Sequence, residues 1–256
     1  MNIKKYIPNL FTLGNLFCGT LATIFAAQYQ FEAAALFVVL GIVFDFFDGF
    51  LARILGVSGE LGKQLDSLAD MVTSGVVPGI VMFQLLNESI IIKAQNSIAD
   101  IDVNLEGLIS LGSGYWPYIG LILTLAACYR LAKFNLDTRQ SESFIGMPTP
   151  AMSLFVVALP LILVNTEIEF VKEMISNNYF LIGVTLVLSF LMNAEIPLFS
   201  LKFKNFGLKE NVFKYLLIAI SIVLLITTQY LAIPLIIVIY LLLSVINNMM
   251  TKKGKA

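Results

Sequence analysis

Four aspartates lie within one apolar stretch of the sequence, residues 41–70. Asp45 and Asp48 are three residues apart, and Asp66 and Asp70 are four residues apart. On an α-helix, both spacings place the two carboxylates of a pair on one face. The segment between the pairs, LGVSGELG, holds three glycines and predicts a tight turn between two helices. The four carboxylates are therefore expected to converge.

Carboxylates crowded in apolar surroundings repel one another and lose hydration, so they must either bind protons or share a cation. Oxygen ligands suit a hard divalent ion, and we expect Mg²⁺ or Mn²⁺, with two ions between the four aspartates. Magnesium held in this way commonly completes its coordination with substrate phosphates. Arg53 lies one helical turn beyond Gly49 and is a suitable phosphate partner, while Gly49 and Ala52 leave room for a ligand beside the helix.

Eight residues at fixed spacing extend this pattern to D-x2-D-G-x2-A-R-x8-G-x3-D-x3-D. They are Asp45, Asp48, Gly49, Ala52, Arg53, Gly62, Asp66 and Asp70. The stretch resembles the signature of the CDP-alcohol phosphotransferases, membrane enzymes that move a phosphatidyl or similar group from a CDP-linked donor to an alcohol. The resemblance implies that the four aspartates bind the metal and that Asp70 is also the catalytic base. A carboxylate base is chemically reasonable as well, because the chain contains no histidine.

The resemblance also places Gly49, Ala52, Arg53 and Gly62 along the nucleotide. Several relatives carry a hydroxyl residue where this chain has Gly59. We therefore expect the neighbouring Ser58, or the backbone there, to make that nucleotide contact.

The composition is typical of a membrane protein. Of the 256 residues, 58% are hydrophobic and only 13% are charged, whereas soluble domains have about 45–50% apolar and about 25% charged residues. A helix needs about 20 apolar residues to cross a bilayer. Eight such runs are present, at 8–28, 32–55, 64–86, 115–135, 149–166, 178–196, 212–228 and 231–248.

These runs predict an all-α integral membrane protein, a polytopic bundle of about eight transmembrane helices in a single domain, 1–256. We expect a catalytic core at about 6–200 and a C-terminal helical hairpin at about 212–248. With the N-terminus inside, the outer segments hold only Lys93 and Lys172 of the 16 basic residues. The positive-inside rule then places both termini and the aspartates in the cytoplasm. The expected location is the cytoplasmic (inner) membrane, with an active site that faces the cytoplasm.

Polar residues recur along the first apolar run, where Asn9, Thr12 and Asn15 follow a spacing of three and face one way. Two roles fit them equally well on the residues alone. They could form hydrogen bonds between helices of the bundle, or they could form a polar wall for the cytidine or ribose of a substrate. The family resemblance favours substrate contact.

A second charged group, Arg130, Lys133 and Arg139, lies around the end of the fourth run. Taken alone, such residues are best explained as anchors of the topology. Arg130, however, lies inside the apolar run, where an ionised side chain is costly and is more often functional. It could bind a phosphate or a carboxylate.

The segments IPNLFTLGNLFCG, FDFFDGFLAR, QLDSLADMVTSGVVPG and RLAKFNLDTRQ, the last followed by FIGMPTPA, narrow the resemblance. Over residues 6–151 the chain is similar to the phosphatidylserine synthases of bacteria within this family. That implies CDP-diacylglycerol and L-serine as substrates, phosphatidylserine and CMP as products, and membrane lipid as the surroundings. A homodimer is common in the family.

Arg130 is the expected partner of the serine carboxylate, with Lys133 and Arg139 as further candidates. Relatives often carry an arginine in place of Lys133, which weakens that candidate. Glycerol 3-phosphate or inositol phosphate could be the acceptor instead, but a dianionic acceptor needs a more cationic pocket than RLAKFN suggests. A cation transporter could also hold carboxylates in a bundle, but it would not need the Gly-x2-Ala-Arg insert. No nucleic-acid partner is expected.

Overall fold

A computed structural model of the chain describes residues 4, 6–98, 114–137, 144–199, 207 and 211–253, with side chains described except at 88–98, 144 and 251–253. Its α-helices are α1 (Tyr6–Ala27), α2 (Phe31–Ile54), α3 (Glu60–Asp70), α4 (Val77–Ile98), α5 (Ile122–Leu136), α6 (Thr149–Asn165), α7 (Glu169–Ile175), α8 (Asn178–Asn193), α9 (Val212–Thr228) and α10 (Ala232–Lys253). A π-helical turn, Met71–Val76, joins α3 to α4. Shorter 3₁₀ turns precede α5 (Trp116–Leu121) and α10 (Gln229–Leu231). Two short strands, β1 (Phe144–Ile145) and β2 (Pro197–Leu198), pair antiparallel.

Helix ends follow the local sequence signals. The α2 helix ends before Gly56, whose φ of 62° is the left-handed conformation that glycine adopts without strain. The α3 helix begins at Glu60, an acid that interacts favourably with the positive end of the helix dipole. Pro150 lies in the first turn of α6, where its missing N–H is harmless. The tight turn predicted between the two aspartate pairs is confirmed.

Five helical stretches of the described chain are long and apolar enough to cross a membrane. They are Tyr6–Ala27, Phe31–Ile54, Glu60–Asn87, Trp116–Leu136 and Val212–Met250. The pair of α7 and α8, bent by 69°, makes a sixth if both helices belong to one span. The all-α membrane class is therefore confirmed. All eight predicted apolar runs coincide with helix, but a bundle of eight spans with both termini inside stays a prediction.

Two helical regions explain why the structure has five or six candidate spans among its described residues where the sequence predicts eight. The α6 helix has only 17 residues, and ten of them are buried, so it is a central helix of the bundle. The stretch Val212–Met250 is 39 residues long, about twice the length that one span requires. A 3₁₀ turn divides it at Gln229, where φ is 47°, and α9 contacts α10.

Small residues bring α1 and α2 close to the π-helical turn. Ala22 of α1 and Ala34 of α2 are fully buried in the core. A methyl group at Gly19 would lie 2.3 Å from Thr73 Oγ1, and one at Gly41 would lie 2.7 Å from Thr73 Cγ2. Such close approach is typical of helix packing in membranes, where small residues let backbones meet. It brings the polar face of α1 to the aspartates.

The fourth span runs antiparallel beside the third. Asn135 Nδ2 donates to Ser67 Oγ at 2.8 Å, and Thr124 Oγ1 donates to the Gly75 carbonyl at 2.9 Å. As residue numbers fall along the fourth span, the residues that they face on the third span rise in number. This register places Arg130 level with the end of α3.

Both cysteines lie in apolar runs of the sequence, which predicts small core packing as their role. In the structure both are free thiols. Cys18 is buried, as expected for a small packing residue. Cys128 is exposed on α5, so the expectation that it also fills the core is wrong. Residues on the outer face of a span are apolar too, so a position within an apolar run does not show that Cys128 faces the core.

Candidate active site

Three carboxylates form a compact group where α2 and α3 meet. Asp45, Asp48 and Asp66 each offer an oxygen within 4.8 Å of the other two, with Asp48 buried and the others half-buried. None of the three forms an ion pair with a basic residue in the part of the chain that the structure describes. Like charges this close repel strongly, and a divalent cation with a preference for oxygen relieves that repulsion. The donor set fits Mg²⁺ or Mn²⁺.

Thr12 orients one of these carboxylates. Its Oγ1 lies 2.5 Å from Asp48 Oδ2 and 3.2 Å from the Pro8 carbonyl oxygen. The Thr12 hydroxyl therefore donates mainly to the Asp48 carboxylate. A short hydrogen bond to an ionised acceptor is a strong one. Thr12 therefore has a structural role at the carboxylate group in addition to its predicted place beside a nucleotide.

Asp70 lies beside the three-carboxylate group but does not belong to the set of oxygens within 4.8 Å of one another. Its Oδ1 accepts a hydrogen bond from Asn15 Nδ2 at 3.1 Å, and Asn15 Oδ1 accepts one from Thr73 Oγ1 at 2.7 Å. Asp70 also interacts electrostatically with Asp66 and with Arg130. Asp70 as a metal ligand stays a prediction, and the structure gives it a separate orienting network.

A cleft of about 920 Å³ opens beside the carboxylate group. The start of α1, the end of α2, the 55–59 turn and the start of α3 form its walls. Seven of the eight predicted nucleotide-binding residues line it, namely Asn9, Thr12, Gly49, Ala52, Arg53, Ser58 and Gly62. The eighth, Asn15, is fully buried and forms hydrogen bonds between helices. Asn15 thus has the first of the two roles weighed for the α1 polar residues, and substrate contact by Asn9 and Thr12 stays a prediction.

Two motif glycines keep this cleft open. A methyl group at Gly62 would lie 3.6 Å from Asn9 Oδ1, and one at Gly49 would lie 4.0 Å from Arg53 Nη2. Larger side chains at either position would occupy space in front of these polar groups. Glycine at these two positions therefore provides space for a ligand, and neither position has a backbone conformation that requires glycine.

Arg130 is buried on α5, with only 6% of its surface exposed. Its Nε and Nη2 atoms have no hydrogen-bond partner among the described residues, and its guanidinium lies 5.8 Å from the Phe134 ring centroid. Nε and Nη2 form one edge of the guanidinium, which is the edge that binds a carboxylate through two parallel hydrogen bonds. The buried arginine therefore presents a ready-made site for an anion, near Asp70.

The other two predicted acceptor residues differ from Arg130. Lys133 Nζ lies 3.5 Å from Glu195 Oε1, and both side chains are partly exposed. Its charge is thus already paired. Arg139 lies outside the described residues.

Several polar residues near the site were missed by the sequence reasoning. Lys63 lines the cleft, and its Nζ donates to the Asn135 carbonyl at 2.6 Å. Thr73 lies three residues after Asp70, on the same side of the helix, and that spacing was the signal that could have found it. The hydrogen bond between Lys63 and Asn135 has no such sequence signal, because it depends on how two spans align.

The chain matches the family model described as CDP-alcohol phosphatidyltransferase over residues 5–191. It is 34% identical over 159 residues to the CDP-diacylglycerol–serine O-phosphatidyltransferase of Bacillus subtilis, covering 60% of this chain and 75% of that protein. The Helicobacter pylori protein of the same name is 28% identical over 225 residues, covering 87% and 83%. The archaetidylserine synthase of Methanothermobacter thermautotrophicus is 26% identical over 162 residues, covering 60% and 59%. Because the family model covers well over half of the chain and the motif residues converge in the fold, this protein belongs to the CDP-alcohol phosphatidyltransferase family.

Proposed function

We propose that this protein transfers a phosphatidyl group from CDP-diacylglycerol to the hydroxyl group of L-serine, releasing CMP. The observation that carries the proposal is a buried, unpaired guanidinium edge on Arg130, which interacts electrostatically with Asp70. Asp70 in turn interacts with Asp66 of the three-carboxylate group. The names of the curated relatives from Bacillus subtilis and Helicobacter pylori support the same reaction.

The proposed metal ligands are Asp45, Asp48, Asp66 and Asp70, with two Mg²⁺ or Mn²⁺ ions as the expected occupancy. A bound divalent ion supplies positive charge that neutralises pyrophosphate oxygens and favours departure of CMP. The half-buried carboxylates reach the cleft wall, where a pyrophosphate can meet them. Thr12 holds Asp48 in a fixed orientation for that role.

The cleft is the proposed site for the nucleotide end of the donor. Its volume of about 920 Å³ lies within the range of ligand sites, about 300–1,000 Å³. Arg53 offers a charged fork for a phosphate, and Asn9 and Ser58 offer polar groups for the cytidine or ribose. Phe46 also lines the cleft and is exposed on its outer side, next to Phe50. The acyl chains would leave the cleft across these aromatic rings.

Asp70 is the proposed base. Asn15 donates to its Oδ1, and the second carboxylate oxygen would accept the proton of the serine hydroxyl. The serine oxygen then forms a bond to the lipid-side phosphorus, the bond from that phosphorus to the CMP oxygen breaks, and CMP leaves with the electron pair. The proton remains on Asp70, and no covalent enzyme intermediate is required.

Arg130 is the proposed selector of the acceptor. Its free Nε and Nη2 edge matches a single carboxylate, and a neutral polyol offers no such group. Glycerol 3-phosphate and inositol phosphate carry two negative charges. Lys133, the predicted helper that lies among the described residues, is paired with Glu195, so the described residues around Arg130 suit a monoanion better than a dianion.

We also propose the inner membrane as the location, with eight spans, both termini inside and the cleft facing the cytoplasm. The placement of basic residues supports this orientation. A homodimer is the assembly that the family resemblance favours.

The experiment is a radiolabel transfer assay on protein purified in detergent, supplied with CDP-diacylglycerol and Mn²⁺ or Mg²⁺. Labelled serine, glycerol 3-phosphate and inositol phosphate are offered in parallel, with a chelator as control. Metal-dependent label in lipid from serine alone, with release of CMP, is the expected result. Label from another acceptor keeps the chemistry of the family but overturns the role of Arg130. Transfer to none of them would refute the proposed activity.

A further inference from the structure

A buried serine with an unpaired hydroxyl lies just beyond Asp70. Ser74 belongs to the π-helical turn and is fully buried, and its Oγ has no hydrogen-bond partner among the described residues. Buried polar groups nearly always have a partner, so an unpaired one requires an explanation. Single π-helical turns within α-helices are frequently found at functional sites.

The neighbours of Ser74 show which way this part of the turn faces. Thr73 contacts α1 through Asn15, while a methyl group at Gly75 would lie 3.3 Å from the Cβ of Ala127 on α5. Ser74 lies between these two positions in the turn. It also follows Asp70 by four residues, which places both side chains on the same side of the helix.

Arg130 approaches the same region from the neighbouring span. In the antiparallel register, Asn135 is opposite Ser67 and Thr124 is opposite Gly75, so Arg130 lies level with Asp70 and the start of the π-helical turn. Side chains lean toward the N-terminus of their own helix. On two antiparallel helices, Arg130 and Ser74 therefore lean toward each other.

The register of the two spans thus brings three unlike groups to one region of the bundle: a base, a guanidinium edge without a partner and a hydroxyl oxygen without a partner among the described residues. The acceptor L-serine carries three matching groups: a hydroxyl, a carboxylate and an ammonium. The first two are assigned above to Asp70 and Arg130. An ammonium has only donors, and it needs an acceptor such as a hydroxyl lone pair.

We propose that Ser74 accepts a hydrogen bond from the ammonium group of the acceptor and is a specificity-determining residue of this site. The inference rests on the proposed function, since it assumes serine as the acceptor. A hydroxy acid that lacks the ammonium group would leave Ser74 unpaired. An amino alcohol that lacks the carboxylate would leave Arg130 unpaired, and burial makes unpaired groups costly.

The test compares L-serine with 3-hydroxypropanoate, which is serine without its ammonium group. Both are assayed with wild-type protein and with Ser74→Ala, in detergent with CDP-diacylglycerol and Mn²⁺. We expect Ser74→Ala to raise the KM for serine about tenfold, since a hydrogen bond to a charged group is lost. The KM for CDP-diacylglycerol and the kcat/KM for 3-hydroxypropanoate should stay within about twofold of wild type. If turnover of the analogue is too slow to measure, its inhibition constant against serine replaces kcat/KM.

Two further variants separate hydrogen bonding from packing. Ser74→Cys keeps the size of the side chain but is a weak acceptor, so it should behave like Ser74→Ala. Ser153→Ala is the matched control, because Ser153 is equally buried on α6 and its Oγ donates to the Thr73 carbonyl at 3.4 Å. Its KM for serine should stay within about twofold of wild type.

An unchanged KM for serine in Ser74→Ala would overturn the inference. So would an equal loss of kcat/KM for both acceptors, since that pattern indicates a packing defect. Failure of the proposed function differs from failure of this inference, because in the first case even the wild-type protein transfers no label to serine.

Discussion

Asn15 Nδ2 donates a hydrogen bond to Asp70 Oδ1 over 3.1 Å, although 55 positions separate the two residues in the chain. The oxygen of the same amide accepts from Thr73 at 2.7 Å. An amide donates only through nitrogen and accepts only through oxygen. Thr73 therefore determines which end of Asn15 faces Asp70, and the pair holds that carboxylate in one orientation.

Asp70→Asn should lower turnover at least about 100-fold, because a positioned base contributes about 10²–10⁴-fold. The amide has nearly the same shape, so binding of CDP-diacylglycerol should be largely retained. The measurements are kcat for serine transfer and equilibrium binding of labelled CDP-diacylglycerol. Glu169→Gln, an exposed acid near Lys172, is the control and should retain full activity. Normal turnover by Asp70→Asn would remove it as the base.

Thr73→Val should lower kcat about three- to tenfold, because it removes the hydrogen bond that orients Asn15 while keeping the side-chain shape. The KM for CDP-diacylglycerol should change little. Thr185→Val is the matched control, since Thr185 is also fully buried but donates to the Leu181 carbonyl of its own helix. Equal losses of kcat in the two variants would argue against a positioning role for Thr73.

Removing metal should abolish activity and lower the melting temperature, while added Mg²⁺ or Mn²⁺ should raise that temperature by mass action. Asp66→Asn should lose the response to metal. In chelator, however, Asp66→Asn should melt no lower than wild type, because a neutral amide removes one acid from a crowded group of three. The check is thermal unfolding in detergent with and without chelator. Identical metal responses in both proteins would contradict a metal site at Asp66.

Arg130→Ala should raise the KM for serine by more than tenfold and leave the KM for CDP-diacylglycerol nearly unchanged. Arg130→Lys should restore little, because an ammonium cannot bind a carboxylate through a planar fork. Lys133→Ala should have the smaller effect, since that lysine is paired with Glu195. The measurement is steady-state kinetics with each substrate varied in turn. A change in the KM for CDP-diacylglycerol alone would refute Arg130 as the partner of the serine carboxylate.

Gly19→Ala should destabilise the fold by about 1–3 kcal/mol, the usual cost of overpacking. Its methyl group would lie 2.3 Å from Thr73 Oγ1 and 2.9 Å from the Thr73 backbone nitrogen. Gly183→Ala is the matched control, because a methyl group there meets nothing within 4 Å. Thermal unfolding of both variants in detergent is the measurement. Equal stability of both would show that α1 can move away from the π-helical turn without cost.

The sequence by itself determined the elements of this protein and the motif they carry. Apolar runs of bilayer length are a local property, and all eight coincide with helix in the structure. Spacings of three and four residues place Asp45 with Asp48, and Asp66 with Asp70, whatever the rest of the chain does. The motif glycines and Arg53 follow from the same fixed spacing, and they line one cleft.

Only the tertiary structure decided how these elements combine. Which carboxylates converge depends on the register between spans, and that register groups Asp45 with Asp66 and gives Asp70 a hydrogen bond from Asn15. Lys133 is paired with Glu195, 62 positions away, and Arg130 is left with an unpaired edge. Such relationships arise from contacts between distant helices, which the close packing of small residues permits and which no local pattern encodes.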